Sequence, residues 1–244
     1  MSGSLERTLV VLPALNEEES VEAVIKEVFE ALPGITCLVV NDGSVDHTTE
    51  LARRAGARVA VLPFNLGVGA AMRVGFRYAI ENGFDNVVQV DADGQHDPAG
   101  VLSLLERLDT ADIVLGARFA GEGEYEVRGP RRWAMVLLSK FLSRMAHTTL
   151  TDTTSGFRAS GPRAVRLFAE HYPAEYLGDT IESLVIASRA HCVIVQVPVA
   201  MRARSGGKPS HHPIRAAAYL ARAVLALLFA LMRPAVPLQM EVSA

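Results

Sequence analysis

From Thr8 to Gly116 the chain repeats one pattern: a short β-branched run, a polar or glycine-bearing turn, then apolar residues at helical spacing. No other feature restricts the fold as much. Residues 8–12, 36–40, 58–62, 86–90 and 112–116 read as strands. Pro13 ends the first, and the acidic run 16–20 opens a helix on which Val21, Val24, Ile25, Val28, Phe29 and Leu32 share one face. Further helices are expected up to about Ala55, through Ile80 and over 98–108. Strands alternating with helices of this length form right-handed βαβ units, hence an α/β fold with a mostly parallel sheet flanked by helices. Turns after strands two, three and four then fall on one sheet edge, where such folds bind ligands. Their convergence predicts a single nucleotide-binding cleft.

After Gly116 the rhythm changes. Residues 117–130 read as a glycine-rich, charged loop and 133–146 as an amphipathic helix. A polar cluster spans 152–158, helices are expected over 161–169 and 180–190, and 193–197 reads as a sixth strand. A basic, glycine-containing loop covers 202–212, and 214–232 is a very apolar helix. Half of the 244 residues are hydrophobic, enough for a large core, and a net charge of −3 argues against a nucleic-acid binder. Cys37 and Cys192 sit in apolar runs and read as small buried hydrophobes. Residues 1–7 hold no apolar core, which predicts no signal peptide and a cytoplasmic location.

The chemistry concentrates at Asp91-Ala92-Asp93-Gly94-Gln95-His96, just past the fourth strand. Two carboxylates one residue apart offer hard oxygen ligands to a divalent cation. A cation bridging two phosphates would neutralise charge on a departing nucleoside diphosphate. The competing reading is a capped turn, with Asp93 or Asp97 capping the helix that Pro98 begins. His96 reads as structural rather than as a ligand.

In their order along the chain these motifs resemble those of the family 2 inverting glycosyltransferases of GT-A fold, and their polyprenyl-phosphate (dolichol-phosphate) hexosyltransferase branch in particular. The resemblance covers residues 8–210. It implies that the loop 13–18, with Pro13, Leu15 and Glu17, is the first nucleotide loop. Asp42, within Asn41-Asp42-Gly43-Ser44, would meet the base or ribose. Asn65 and Gly69 would belong to a third loop, in which Val68 stands where many members carry a basic residue. Asp91, Ala92 and Asp93 would contact the nucleotide sugar, and Asp91, Asp93 and Gln95 would hold Mg2+ or Mn2+. Asp152, in the cluster ending Ser155-Gly156-Phe157-Arg158, is the implied catalytic partner beside Asp93, as an orienting group or a base. Arg118 and Arg131 would grip an acceptor phosphate, and Arg202, Arg204 and Lys208 would close over phosphate. Glu182 is a minor candidate.

The implied activity is metal-dependent, inverting transfer of a hexose from a nucleotide sugar of the GDP-mannose or UDP-glucose type to a polyprenyl phosphate at the cytoplasmic membrane face. The alternatives are a soluble family 2 enzyme acting on a small-molecule or glycan acceptor, and a nucleotide-sugar-binding scaffold without turnover. Residues 1–212 would form the catalytic domain, with 1–116 its nucleotide-sugar half and 117–212 its acceptor half. Residues 213–244 would form an apolar helix and tail. Within that helix Arg215 and Arg222 leave only 223–232 uninterrupted, too short for the roughly 20 apolar residues of a bilayer span. It is expected to lie in the membrane plane or to dock on a partner, for instance in a homodimer.

Overall fold

The computed structural model describes residues 5–118, 130–173, 179–200 and 202. Among the described residues, seven strands form one sheet in the order β3-β2-β1-β4-β6-β5-β7. They are β1 (Thr8–Ala14), β2 (Thr36–Asn41), β3 (Arg58–Val61), β4 (Asn86–Gln89), β5 (Ile113–Arg118), β6 (Arg158–Ser160) and β7 (Ile194–Val199). β1 pairs in parallel with both β2 and β4, and Val10 sits opposite Cys37 on one side and Val88 on the other. β3 joins β2 in parallel, and β7 joins β5 in parallel. β6 runs antiparallel to both β4 and β5.

The helices are α1 (Val21–Ala31), α2 (Thr48–Arg54), α3 (Val68–Glu81), α4 (Gly100–Arg107), α5 (Pro130–Met145), α6 (Pro162–His171) and α7 (Asp179–Arg189). They cover both faces of the sheet, as a parallel sheet requires. Along β1, Leu9 and Val11 point into a core with Met72 and Phe76 of α3, Phe168 of α6 and Leu184 of α7. Val10 and Leu12 point the other way, into a core with Val24, Ile25 and Val28 of α1 and Leu104 of α4. This alternation is why β1 reads as a continuous apolar run.

Two elements differ from the sequence reading. β6 was not expected: residues 158–160 read as the end of a polar cluster, because three residues show no periodicity. The first helix starts at Val21, not in the acidic run. Residues 16–18 instead form a loop tied to the β2–α2 turn. The Asn16 N–H donates to Ser44 Oγ at 2.9 Å, Glu17 N–H to Thr48 Oγ1 at 2.9 Å and Glu18 N–H to Asp46 Oδ2 at 3.2 Å. Among the described residues no helix is long and apolar enough to cross a membrane. The apolar helix expected over 214–232 lies outside the described residues.

Candidate active site

The parallel strands β1, β2, β3 and β4 deliver their carboxyl ends to one edge, where a cleft of about 420 Å³ opens. Pro13 and Ala14 at the end of β1 line it with Leu15 and Glu17 just beyond, and Asp42 lines it after β2. Asn65, Gly67, Val68 and Gly69 line it after β3, and Asp91, Ala92 and Asp93 after β4. Asp179, at the start of α7, completes the wall. The nine residues expected to bind a nucleotide sugar are thus brought together. Five acidic residues line the cleft and no basic one does, among the described residues.

Asp42 is buried, and its carboxylate is already engaged. Oδ1 accepts from the Leu66 N–H and Oδ2 from the Gly67 N–H, each at 2.7 Å. Such a charge-assisted, two-pronged contact fixes the loop entering α3 and shapes the cleft floor. Asn41 braces the same turn, its amide donating to Thr49 Oγ1 and its Oδ1 accepting from the Ser44 N–H at 2.7 Å.

The Asp91–His96 turn is held from several sides. The Asp91 N–H donates to His96 Nδ1 at 3.1 Å, so a neutral His96 carries its proton on Nε2, 3.7 Å from Asp91 Oδ2. His96 is 3 % exposed and stacks on Phe157 at 4.9 Å between centroids. It is therefore a brace for the turn. Asp93 Oδ1 accepts from the Gln95 N–H at 3.0 Å, while the Gln95 carbonyl accepts from the Arg202 N–H at 2.9 Å. Asp91 Oδ1 accepts from Gln89 Nε2 at 3.3 Å. Beside it passes the Gly156 backbone: a Cβ there would lie 2.9 Å from Asp91 Oδ1 and 3.0 Å from Gln89 Nε2. The glycine of Ser155-Gly156-Phe157-Arg158 thus lets the second polar cluster pack directly against the first.

Behind this turn lies a buried charge that the sequence did not announce. Arg158 is 2 % exposed, with its guanidinium donating to Ser183 Oγ at 3.0 Å and to the Ser155 carbonyl at 2.7 Å. Asp179 is its electrostatic partner. Burial pushes the Asp179 carboxyl above the usual carboxylate range, Arg158 and the Thr180 backbone N–H oppose the rise, and Asp91 adds to it. Asp179 was missed because Gly178-Asp179-Thr180 before a helix reads equally as a cap.

Other expected residues stand outside the cleft wall. Asp152 Oδ1 accepts from Thr154 Oγ1 at 3.1 Å and Thr154 N–H at 3.4 Å, a turn-capping geometry, and its own N–H donates to Gln196 Oε1 at 3.2 Å. The Arg202 guanidinium lies between Glu27 Oε2 at 2.5 Å and Asp97 Oδ1 at 3.2 Å. Glu182 is buried within α7. Arg118 ends β5 and Arg131 lies in the first turn of α5, but their side chains, like Arg204 and Lys208 as a whole, fall outside the described residues. No three His, Cys, Asp or Glu side chains gather to hold a metal ion among the described residues. The acidic wall does fit a cation shared with a ligand: Mg2+ is commonly held by one or two carboxylates plus substrate phosphates.

Comparison with known proteins agrees with this geometry. Residues 9–167 match the model of Glycosyl transferase family 2. The chain is 31% identical to the undecaprenyl-phosphate mannosyltransferase of Micrococcus luteus over 210 residues, covering 83% of this chain and 86% of that one. It is 32% identical to the polyprenol monophosphomannose synthase of Mycolicibacterium smegmatis over 213 residues, covering 83% and 74%. The fold is similar to glucosyl-3-phosphoglycerate synthase from Mycobacterium tuberculosis, solved with Mn2+, UDP and phosphoglyceric acid. That likeness has a TM-score of 0.71 at 25% identity over 96% of this chain and 84% of that one. The chain belongs to glycosyl transferase family 2 and is a glycosyltransferase of mostly parallel, GT-A-like architecture.

Proposed function

We propose that this enzyme transfers a hexose, with mannose the first to be tried, from a nucleotide sugar to a polyprenyl phosphate. One observation carries the donor side of the reading: the ends of four parallel strands and the loops after them converge on a cleft with Asp91 and Asp93 on its wall. The similarity to two polyprenyl-phosphate mannosyltransferases supports the acceptor side.

The cleft is lined by five carboxylates, so a diphosphate cannot enter it without charge compensation. Asp91 and Asp93, with Gln95 nearby, are the groups that would hold Mg2+ or Mn2+. Bound there, the cation would neutralise charge on the departing diphosphate. The loops of Pro13, Leu15, Glu17, Asp42 and Asn65 would seat the nucleoside. The acceptor oxygen attacks the anomeric carbon from the side opposite the diphosphate. The carbon–oxygen bond to the β-phosphate breaks, and its electron pair leaves with the diphosphate. A phosphate acceptor is already ionised near neutral pH, so Asp152 would orient it rather than deprotonate it. Arg118, Arg131, Arg204 and Lys208 are proposed to meet phosphate oxygens. Arg202, between Glu27 and Asp97, would act mainly by tying the late loop to the Asp91–His96 turn. Residues 213–244 are proposed to bring the enzyme to the membrane surface as a peripheral protein, with a homodimer contact as the competing use.

A second reading has its own support. The fold resembles a synthase solved with phosphoglyceric acid, a soluble phosphorylated acceptor. Labelled GDP-mannose and UDP-glucose, offered with either undecaprenyl phosphate or 3-phosphoglycerate, separate the two. Label in the organic phase is expected. Label passing only to the soluble acceptor would sink the lipid reading.

A further inference from the structure

The order of groups along the sheet edge gives the cleft a direction. Asp42 follows β2, Ala14 ends β1 with Leu15 next to it, and Asp91 and Asp93 follow β4. Next in the sheet comes β6, which begins with Arg158. On the reading above, the nucleoside lies by β2 and β1 and the diphosphate by Asp91 and Asp93. The transferred sugar then lies beyond, toward β6. Asp179 is the cleft-lining residue on that side, with Arg158 and Asp91 as its charged neighbours.

Its carboxylate is incompletely used. The backbone N–H groups of Asp179 and Thr180 hold it at the start of α7, yet Oδ2 is sealed from solvent and has no hydrogen-bond partner among the described residues. A buried acceptor left open in this way costs free energy unless something fills it. The packing around it is tight. A Cβ on Gly69 would lie 3.1 Å from Asp179 Cβ and 2.3 Å from the Pro173 carbonyl oxygen, so the start of α3 presses against this wall. The partner must be a hydrogen-bond donor, and it cannot be an anion, because Asp91 is already close. A metal shared by three acids is not formed here among the described residues. Asp179 lines the cleft, so a turn of its side chain offers the carboxylate to a sugar there, whose hydroxyls are neutral and donate, and a carboxylate can accept two at once.

We propose that Asp179 reads the donor sugar, its carboxylate accepting hydrogen bonds from hydroxyls of the hexose about to be transferred. Arg158 is the positioning residue behind it, keeping a negative charge tolerable at that depth. The inference rests on the donor assignment made under Proposed function. The test therefore separates sugar from nucleotide and leaves the acceptor out.

Binding of GDP and of GDP-mannose, and of UDP and UDP-glucose, is measured by calorimetry with Mg2+ for the wild type, Asp179→Asn and Asp179→Ala. For the donor that the enzyme uses, the sugar is expected to raise wild-type affinity over the bare nucleotide. Both variants should keep nucleotide affinity within about twofold and lose about 10- to 100-fold of the sugar's contribution, the range for hydrogen bonds to a charged group. Donors with one hydroxyl replaced by hydrogen should lose affinity for the wild type at the contacted position and lose nothing further in the variants. Variants that keep the full sugar contribution while turnover falls would place Asp179 on the acceptor and overturn the inference. Equal loss of nucleotide binding, or its abolition in both variants, would make Asp179 structural and also overturn it. A wild type for which no sugar improves on the bare nucleotide overturns the donor assignment itself.

Discussion

On the β1–β3 side of the cleft, loops hold one another by side-chain-to-backbone bonds. Asn16, Glu17 and Glu18 meet Ser44, Thr48 and Asp46, and Asp42 holds the amides of Leu66 and Gly67. On the β4–β6 side the groups are larger, more deeply buried and less satisfied. Gln89 Oε1, Ser155 Oγ, Arg158 Nε and Asp179 Oδ2 are all buried there without a hydrogen-bond partner among the described residues. The first side is complete before any ligand arrives. The second leaves acceptors and donors open, which water or substrate must fill. A transferase needs both: a preformed seat for the part of the donor that does not react, and groups whose bonding is finished only when the reacting sugar is present.

Variants at the junction and on either side sharpen this contrast. The largest effect is expected at the junction, the Asp91–Asp93 turn. Asp93→Ala should lower turnover by about 10³-fold, comparable to losing a group that stabilises transition-state charge, with an unchanged circular dichroism spectrum. Excess EDTA should silence the wild type and Mg2+ restore it. Full turnover in EDTA would remove the cation from the mechanism.

On the unsatisfied side, Arg158→Met removes the charge facing Asp179 and two hydrogen bonds. A loss of about 3 kcal/mol in urea unfolding is expected, as for breaking a buried pair. A change below about 1 kcal/mol would mean the carboxylate is compensated elsewhere.

On the satisfied side, Asp42→Asn keeps the shape but turns one acceptor into a donor against an N–H. Nucleotide affinity should drop by about 10-fold with little change in unfolding. Unchanged affinity in calorimetry would show that the loop it holds does not touch the nucleoside.

The smallest effect probes opening of the two halves. Cys37 lies in β2 and Cys192 just before β7, both buried, their thiols pushed up by burial to about 12 and about 11. Both should stay protonated and resist a thiol reagent at pH 8 until the chain unfolds. Faster labelling at Cys192 than at Cys37 would show that the carboxyl-terminal half opens on its own.

How much of this was legible depends on whether a residue's role is local. Pro13 near the end of β1, and Asp42, Asn65 and Asp91 in the loops after β2, β3 and β4, belong to strands whose apolar runs are visible, so strand order alone gathers them. The acidic run 16–20 resembles a helix start because its residue types suit one, but its backbone bonds go to a loop 28 to 31 residues away. β6 escaped because it is three residues long and finds both its partners elsewhere in the chain. The pairing of Asp179 with Arg158 escaped because the two stand apart in the sequence. Each looks like an ordinary cap or surface charge until folding places one beside the other.

The position of β6 also fixes an order of assembly. β5 is synthesised some forty residues before β6, yet it reaches β4 only through β6, and its other neighbour, β7, comes later still. While the chain emerges from the ribosome, β1 to β4 can already pair, whereas Ile113-Val114-Leu115 must wait as an unpaired apolar edge. Such an edge is a template for aggregation and a natural target for chaperones. Pulsed hydrogen exchange during refolding should find amides of β1 and β2 protected before those of β5. The three-residue strand is thus the bridge that ties β5 and β7 to the rest of the sheet.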